Sequence, residues 1–364
     1  MKSTLICLLS ITLLVFSSCA VKEKPLTKEE ALAFAKKIEK SIENEDERVF
    51  DQAFDYNALS KKLELPKGFK RKDFLDAAAG KMKMARSIIS SLGDKGSYKL
   101  IRHYEKDGVH HLLFRLYSDG GLNYHDMELT RSKGECKIAD MYLYMTGSRI
   151  SESLTEVYEQ LFTELDKGKN ARTEKWMDSL SGIRQNILEQ NYTRARELLD
   201  QVPPHIRKGK MFQIASIEIA DGMGPEEFDE AIREFETLFP NDESLNLLIL
   251  GAYMVRKEFD KALQAIDKLD TLVGTDPLLN YHRSICYYNM DQQDKSIEKL
   301  ELLLKEMPHF EDGLQEMIGT LLGQKEYDKA HTYVKQLQAI PSHDAETLKT
   351  LLEYYPGYAE KYPQ

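Results

Sequence analysis

Six side chains between residues 103 and 140 could do acid–base work: His103, His110, His111, His125, Asp126 and Asp140. An imidazole titrates near neutral pH, so a His–Asp pair in a cavity can take a proton and return it. Tyr142 and Tyr144 fall on the expected face of Asp140. His103, His125, Asp140 and Tyr142 are therefore the candidate lining of a small-ligand pocket. The spacing carries no enzyme signature. His110 and His111 are adjacent on an expected strand, so they point to opposite faces and cannot chelate one metal together. The chain has no Gly-x-Ser-x-Gly, phosphate loop, His-Glu-x-x-His or dinucleotide fingerprint. The ordinary account of these residues is edge and surface polarity. No catalytic residue, metal or cofactor is assigned.

The elements around these residues change character along the chain. Thr27 and Glu30 have capping-box spacing before Ala31, Phe34, Ala35, Ile38 and Ile42, which predicts an amphipathic helix. A second helix is expected over 47–63 and a third on Phe74, Ala78, Met82, Ala85, Ile89 and Leu92, ended by Gly93. Period two then takes over in four runs, 97–105, 109–118, 122–131 and 136–145. The short Gly-containing separators between them predict antiparallel hairpins. Helices followed by a meander imply an α+β layer over 27–148, with helices packed on a four-stranded antiparallel sheet. That element order resembles the nuclear transport factor two or cystatin-like rolls, which would place a pocket in the mouth of the roll. Ser153 and Glu156 open a further helix within 149–175 that connects this domain to the rest.

The second half repeats. Ala195, Ala231, Ala262, Ser296 and Ala330 end five similar segments. Their spacing is roughly 34 residues, the length of one two-helix unit. Tyr192, Phe228, Phe259 and Tyr327 stand three positions before four of them, and Gln293 breaks the rule. A small residue where two helices cross, an aromatic before it and a period of this length resemble the tetratricopeptide repeat. The resemblance covers 176–341 in about five units, strongest over 243–341, with 342–364 as a capping helix and tail. It implies an all-α solenoid whose first helices line a groove that binds a peptide or helix of another protein. Carried onto this sequence, the groove residues are Leu247, Met254, Val255, Leu278, Tyr281, Ile285, Tyr288, Asn289, Asp312, Gln315, Leu322 and Gly323. Some of these could pack between repeats instead. Tyr281 and Tyr288 are the best anchors, since tyrosine is frequent at binding hot spots. The Lys, Asn and Arg clamp of the chaperone-binding members is absent.

Charge is uneven. Residues 20–150 carry 25 Lys and Arg against 21 Asp and Glu, and residues 151–364 carry 24 against 39. An acidic helical half argues against nucleic acid, which needs clustered cations. It suits either a basic partner or simply solvated helix faces. The run Lys67, Lys70, Arg71 and Lys72 is a solvated loop or a contact for anionic headgroups.

The start of the chain is a leader by pattern. Lys2 precedes the apolar run 5–16, which is too short to span a bilayer and right for a signal core. Phe16-Ser17-Ser18-Cys19 follows and resembles the lipobox of bacterial lipoproteins. The resemblance implies a signal peptide at 1–18, acylated Cys19, a tether over 19–26 and a membrane-anchored protein of the bacterial cell envelope. Phe16 stands where that family has Leu or Val. Secretion with cleavage after Ala20 is the alternative. Cys136 and Cys286 lie in different expected domains, so no disulfide framework is visible. Two functions follow: a lipid-anchored interaction scaffold, or a small-ligand binder or enzyme that uses the roll.

Overall fold

The computed structural model describes residues 23–65, 70–72, 75, 83–93, 96–118, 121–166, 182–240, 242 and 244–363. The expected signal and Cys19 lie outside them, as do Phe74, Ala78, Met82 and Lys67. The architecture is an α+β N-terminal part followed by an array of paired helices.

The first helix, Lys28–Glu43, starts with a complete capping box: Glu30 N donates to Thr27 Oγ1 at 3.2 Å, and Thr27 N donates to Glu30 Oε2 at 2.8 Å. Two orphan donors are thereby satisfied. Its buried face is Ala31, Phe34, Ala35, Ile38 and Ile42. The helix expected over 47–63 is two helices, Glu47–Asp51 and Tyr56–Lys62. The backbone between them is taken by the sheet. Asp55 N donates to Ile138 O at 2.9 Å, and Ile138 N donates to Ala53 O at 2.8 Å. Asp55 then caps the second helix through Asn57 N and Ala58 N. The helix Met84–Leu92 ends at Gly93, whose φ of 58° is open to glycine at little cost.

Five strands follow in sequential antiparallel order: β1 (Ser97–Lys106), β2 (Val109–Ser118), β3 (Gly121–Ser132), β4 (Glu135–Leu143) and the short β5 (Ser148–Arg149). Asp107-Gly108 joins β1 to β2 and Lys133-Gly134 joins β3 to β4, with both turn residues at positive φ in each case. That is the backbone a two-residue hairpin loop requires.

Alternation gives this sheet two buried faces. Leu112, Phe114, Leu116, Met127, Leu129 and Ile138 pack beneath the N-terminal helices. Leu113, Leu122 and Tyr124 point the other way and share a core with Leu247, Leu250, Ile266 and Leu278 of the helical array. The sheet is therefore covered by helices on one face and by the array over part of the other.

The array pairs its helices in order: 182–188 with Tyr192–Gln201, Lys210–Met223 with Pro225–Leu238, Leu245–Val255 with Phe259–Val273, Leu279–Asn289 with Gln293–Glu306, and Glu311–Gly323 with Tyr327–Gln338. Ala345–Glu353 and Pro356–Lys361 close it. Ala195, Ala262, Ser296 and Ala330 are fully buried where the paired helices meet. Lys257, Asp291 and Lys325 all sit at φ of 59–60°, one repeat apart, and turn the first helix into the second.

One edge of the array holds the sheet. Asp242, Asp276 and Phe310 occupy the same repeat position, just before three successive first helices. Lys210 Nζ bridges Asp242 and Gly147 O. Asp276 takes Arg115 and Tyr124. Phe310 packs edge-on against Tyr117, whose hydroxyl donates to Asp312 at 2.7 Å.

Candidate functional site

The four residues expected to line a pocket do not converge. His125 lies on the helix-covered face, 5 % exposed, with Nδ1 3.1 Å from Tyr98 Oη and Nε2 3.2 Å from Asn123 Nδ2. Burial pushes its pKa down to about 4. His103 Nε2 pairs with His110 Nδ1 at 2.9 Å, and His110 Nε2 meets Leu26 O. Burial is also the main cause of the lowered His103 pKa. Asp140 is fully buried at the start of the helix Ile150–Asp166. It accepts from Ser151 Oγ at 2.6 Å, Ser151 N at 3.2 Å and Met141 N at 2.9 Å. A carboxylate there satisfies helix donors and meets the positive end of the dipole. Tyr142 packs edge-on against Tyr144, ring centroids 5.1 Å apart. A pocket built of His103, His125, Asp140 and Tyr142 is thus replaced by separate structural contacts.

The sheet instead assembles a network that spacing alone did not single out. Tyr104 Oη donates to Asp126 Oδ2 at 2.5 Å, and His111 Nδ1 lies 3.2 Å from Asp126 Oδ1. The Tyr104 and His111 rings stack at 4.8 Å, as direct cross-strand partners. Burial, then Asp126, raises the Tyr104 phenol pKa. The register was the missing signal: His111 faces Glu128, so Asp126 is its diagonal neighbour. Such a network orients an imidazole, yet its three side chains line neither the cleft over Met317 nor the one beside Phe34. Among the described residues no three His, Cys, Asp or Glu side chains are placed to hold a metal ion. Cys136 and Cys286 are free thiols, and burial raises both pKa values.

The expected groove residues divide by burial. Leu278 is fully buried, and Leu247 and Leu322 nearly so. The first two lie in the core shared with the sheet, and Leu322 lies in the last repeat core. These three are corrected from partner contacts to packing residues. Tyr281 is half-buried and wedged edge-on against Phe310 at 5.4 Å. Its phenol pKa is raised by burial, with Asp312 and Glu316 adding to the effect. Met254 and Ile285 are half-buried, and Asn289 is exposed with Nδ2 on Ile285 O. Val255 is 70 % exposed and Tyr288 40 %.

Repeat register organises what remains. Gly251, Ile285 and Gly319 are equivalent, as are Met254, Tyr288 and Leu322, and Val255, Asn289 and Gly323. The preceding unit adds Ala220, Met223 and Gly224. None of these twelve positions is charged, although 30 % of the chain is. Met223 and Val255 are exposed apolar groups on this line. A Cβ at Gly251 would meet nothing within 4 Å, so packing does not demand glycine there. Met223 and Gly251 are site positions the sequence reading passed over, whereas Gly323 was among the expected groove residues. The alignment of first helices, read for charge rather than for aromatics, was the signal that could have found them.

No protein-family model matches the sequence, and no curated protein matches it. Among solved structures the chain is similar to the crystal structure of MamA protein, at 17 % identity over 52 % of this chain and 97 % of that one, with a TM-score of 0.38. It is also similar to MamA AMB-1, at 12 % identity over 44 % of this chain and 96 % of that one, with a TM-score of 0.35. Likeness this distant carries no inference about function, and the repeat architecture rests on the helix pairs themselves.

Proposed function

We propose that this chain is an exported, lipid-anchored interaction scaffold. Its first-helix stripe takes an apolar segment of a partner protein. The observation that carries the reading is the uncharged line through Met223, Val255 and Tyr288. Exposed apolar groups in register across successive helices mark an interaction surface more than scattered ones do. Gly251, over which an added Cβ would meet nothing within 4 Å, leaves room for a partner to approach closely. Two features of the leader support the anchor: the apolar run 5–16 and Ser17-Ser18-Cys19 directly after it. Two acyl chains on Cys19 would give stable attachment where one gives only marginal binding.

A photo-crosslinker at Val255, in cells that make the native protein, tests the stripe. A discrete crosslinked product that fades when Tyr288 is changed to Ala supports the reading. Products of equal yield from position 255 and from exposed Glu236, on the second helix Pro225–Leu238 and so off the stripe, refute it. The anchor is tested separately by labelled fatty acid. Uptake by the wild type and none by Cys19→Ala is expected, and an unlabelled wild type refutes acylation without touching the stripe.

A further inference from the structure

The last two repeats carry a second cleft, on a different side of the helix Glu311–Gly323 from the stripe. Met317 and Leu321 lie two positions from Gly319 and Gly323, so they point about 200° away around the same helix. They form the buried base of a cleft of about 580 Å³ between the second helices Gln293–Glu306 and Tyr327–Gln338. Half-buried Ile297 stands on one wall. Asp294 and Glu301 rise from that same wall, exposed. Across from them Lys329 is held by Glu326 at 3.5 Å and contributes no net charge. Among the described residues no cation lies within ion-pair distance of Asp294 or Glu301, whereas nearby Glu298 is matched by Lys299 at 2.8 Å.

We infer that this cleft docks a basic amphipathic helix of a partner protein. Asp294 and Glu301 are seven positions apart on one helix, so their carboxylates recur after two turns, about 10 Å. A docked helix with Lys or Arg at positions i and i+7 has the same repeat on one face. Apolar residues at i+3 and i+4 of that helix then meet Ile297 and, on the facing wall, half-buried Tyr333. The acidic rim, with half-buried Ile297 between its two charges, selects this occupant over an acidic or uncharged one. The surface is separate from the stripe, so either can fail without the other.

The test uses the protein from Ala20 onward, free of the leader and its cysteine, and two synthetic fluorescent peptides of equal length. One is a Leu-rich helix with Lys at i and i+7 flanking a Leu pair, and its twin has Glu for Lys. Fluorescence anisotropy should show saturable binding of the Lys peptide, weakened by added salt, and none of the Glu peptide. Asp294→Lys with Glu301→Lys should weaken binding at least tenfold, Asp294→Asn with Glu301→Gln by less, and Tyr288→Ala should leave it unchanged. Equal affinity for the charge-reversed variant would overturn the inference. So would loss of binding with Tyr288→Ala alone, which would move the peptide to the stripe.

Discussion

Arg115 Nη1 and Asp276 Oδ1 lie 2.5 Å apart, both side chains buried, at the junction between the sheet and the helical array. The same carboxylate accepts from Tyr124 Oη at 2.8 Å and from Leu278 N at 3.0 Å. One aspartate therefore holds two strands and the start of a first helix. The burial of this pair makes it a lock between the two parts rather than an exposed ion pair of small worth.

Removing one partner should be costly. Asp276→Ala leaves the Arg115 charge buried and uncompensated, a loss of about 3–5 kcal/mol. Adding Arg115→Met on that background should recover part of it, because the orphaned charge is gone. Chemical denaturation of the two single variants and the double variant checks this. Losses that simply add would show that the two residues do not act on each other.

A second expectation concerns Ser296. It occupies the position of Ala262 and Ala330, is fully buried, and its Oγ has no hydrogen-bond partner. An unsatisfied buried hydroxyl costs about 1–3 kcal/mol. Ser296→Ala should therefore raise the melting temperature and the denaturation midpoint, with a gain of about 1 kcal/mol after the lost packing of the oxygen. A destabilised Ser296→Ala would mean that the hydroxyl is satisfied after all.

The repeats and the hairpins were legible because their signals are local. Asp107-Gly108 and Lys133-Gly134 specify turns by themselves, and the small residue at Ala262 and Ala330 fixes the crossing of helices that are neighbours in sequence. The break in the helix expected over 47–63 was not legible, because it depends on Ile138, far along the chain. Arg115 and Asp276 are 161 residues apart, so neither announces the other. The groove was half legible. Family register found Val255 and Tyr288. It could not tell them from Leu278 and Leu322, whose burial depends on the sheet and on the last repeat. The acid–base reading failed for a related reason: strand alternation gives a face, but only pairing register joins Tyr104, His111 and Asp126.

The buried histidine gives a pH dependence with a definite sign. His125 has a folded pKa of about 4 because burial disfavours its charged form, against about 6.5 in an unfolded chain. The unfolded state therefore takes up the proton first as pH falls. The stability tied to the neutral ring is full above about pH 6.5 and is lost progressively toward pH 4, on the order of 3 kcal/mol in all. Thermal melts at pH 7 and pH 5 should show a smaller drop for His125→Gln than for the wild type. Equal drops would place the pH dependence elsewhere.

The central claim is that the uncharged stripe on the first helices is where a partner binds. Its most direct measurement is the yield of the Val255 photo-crosslink in cells, compared between the wild type and a folded Met223→Ser, Tyr288→Ala variant. Truncating interface anchors of this kind costs about 2 kcal/mol or more of binding. The yield of one discrete product should accordingly fall about tenfold or more while circular dichroism and the melting temperature stay close to wild type. An undiminished product from the folded variant would contradict the claim.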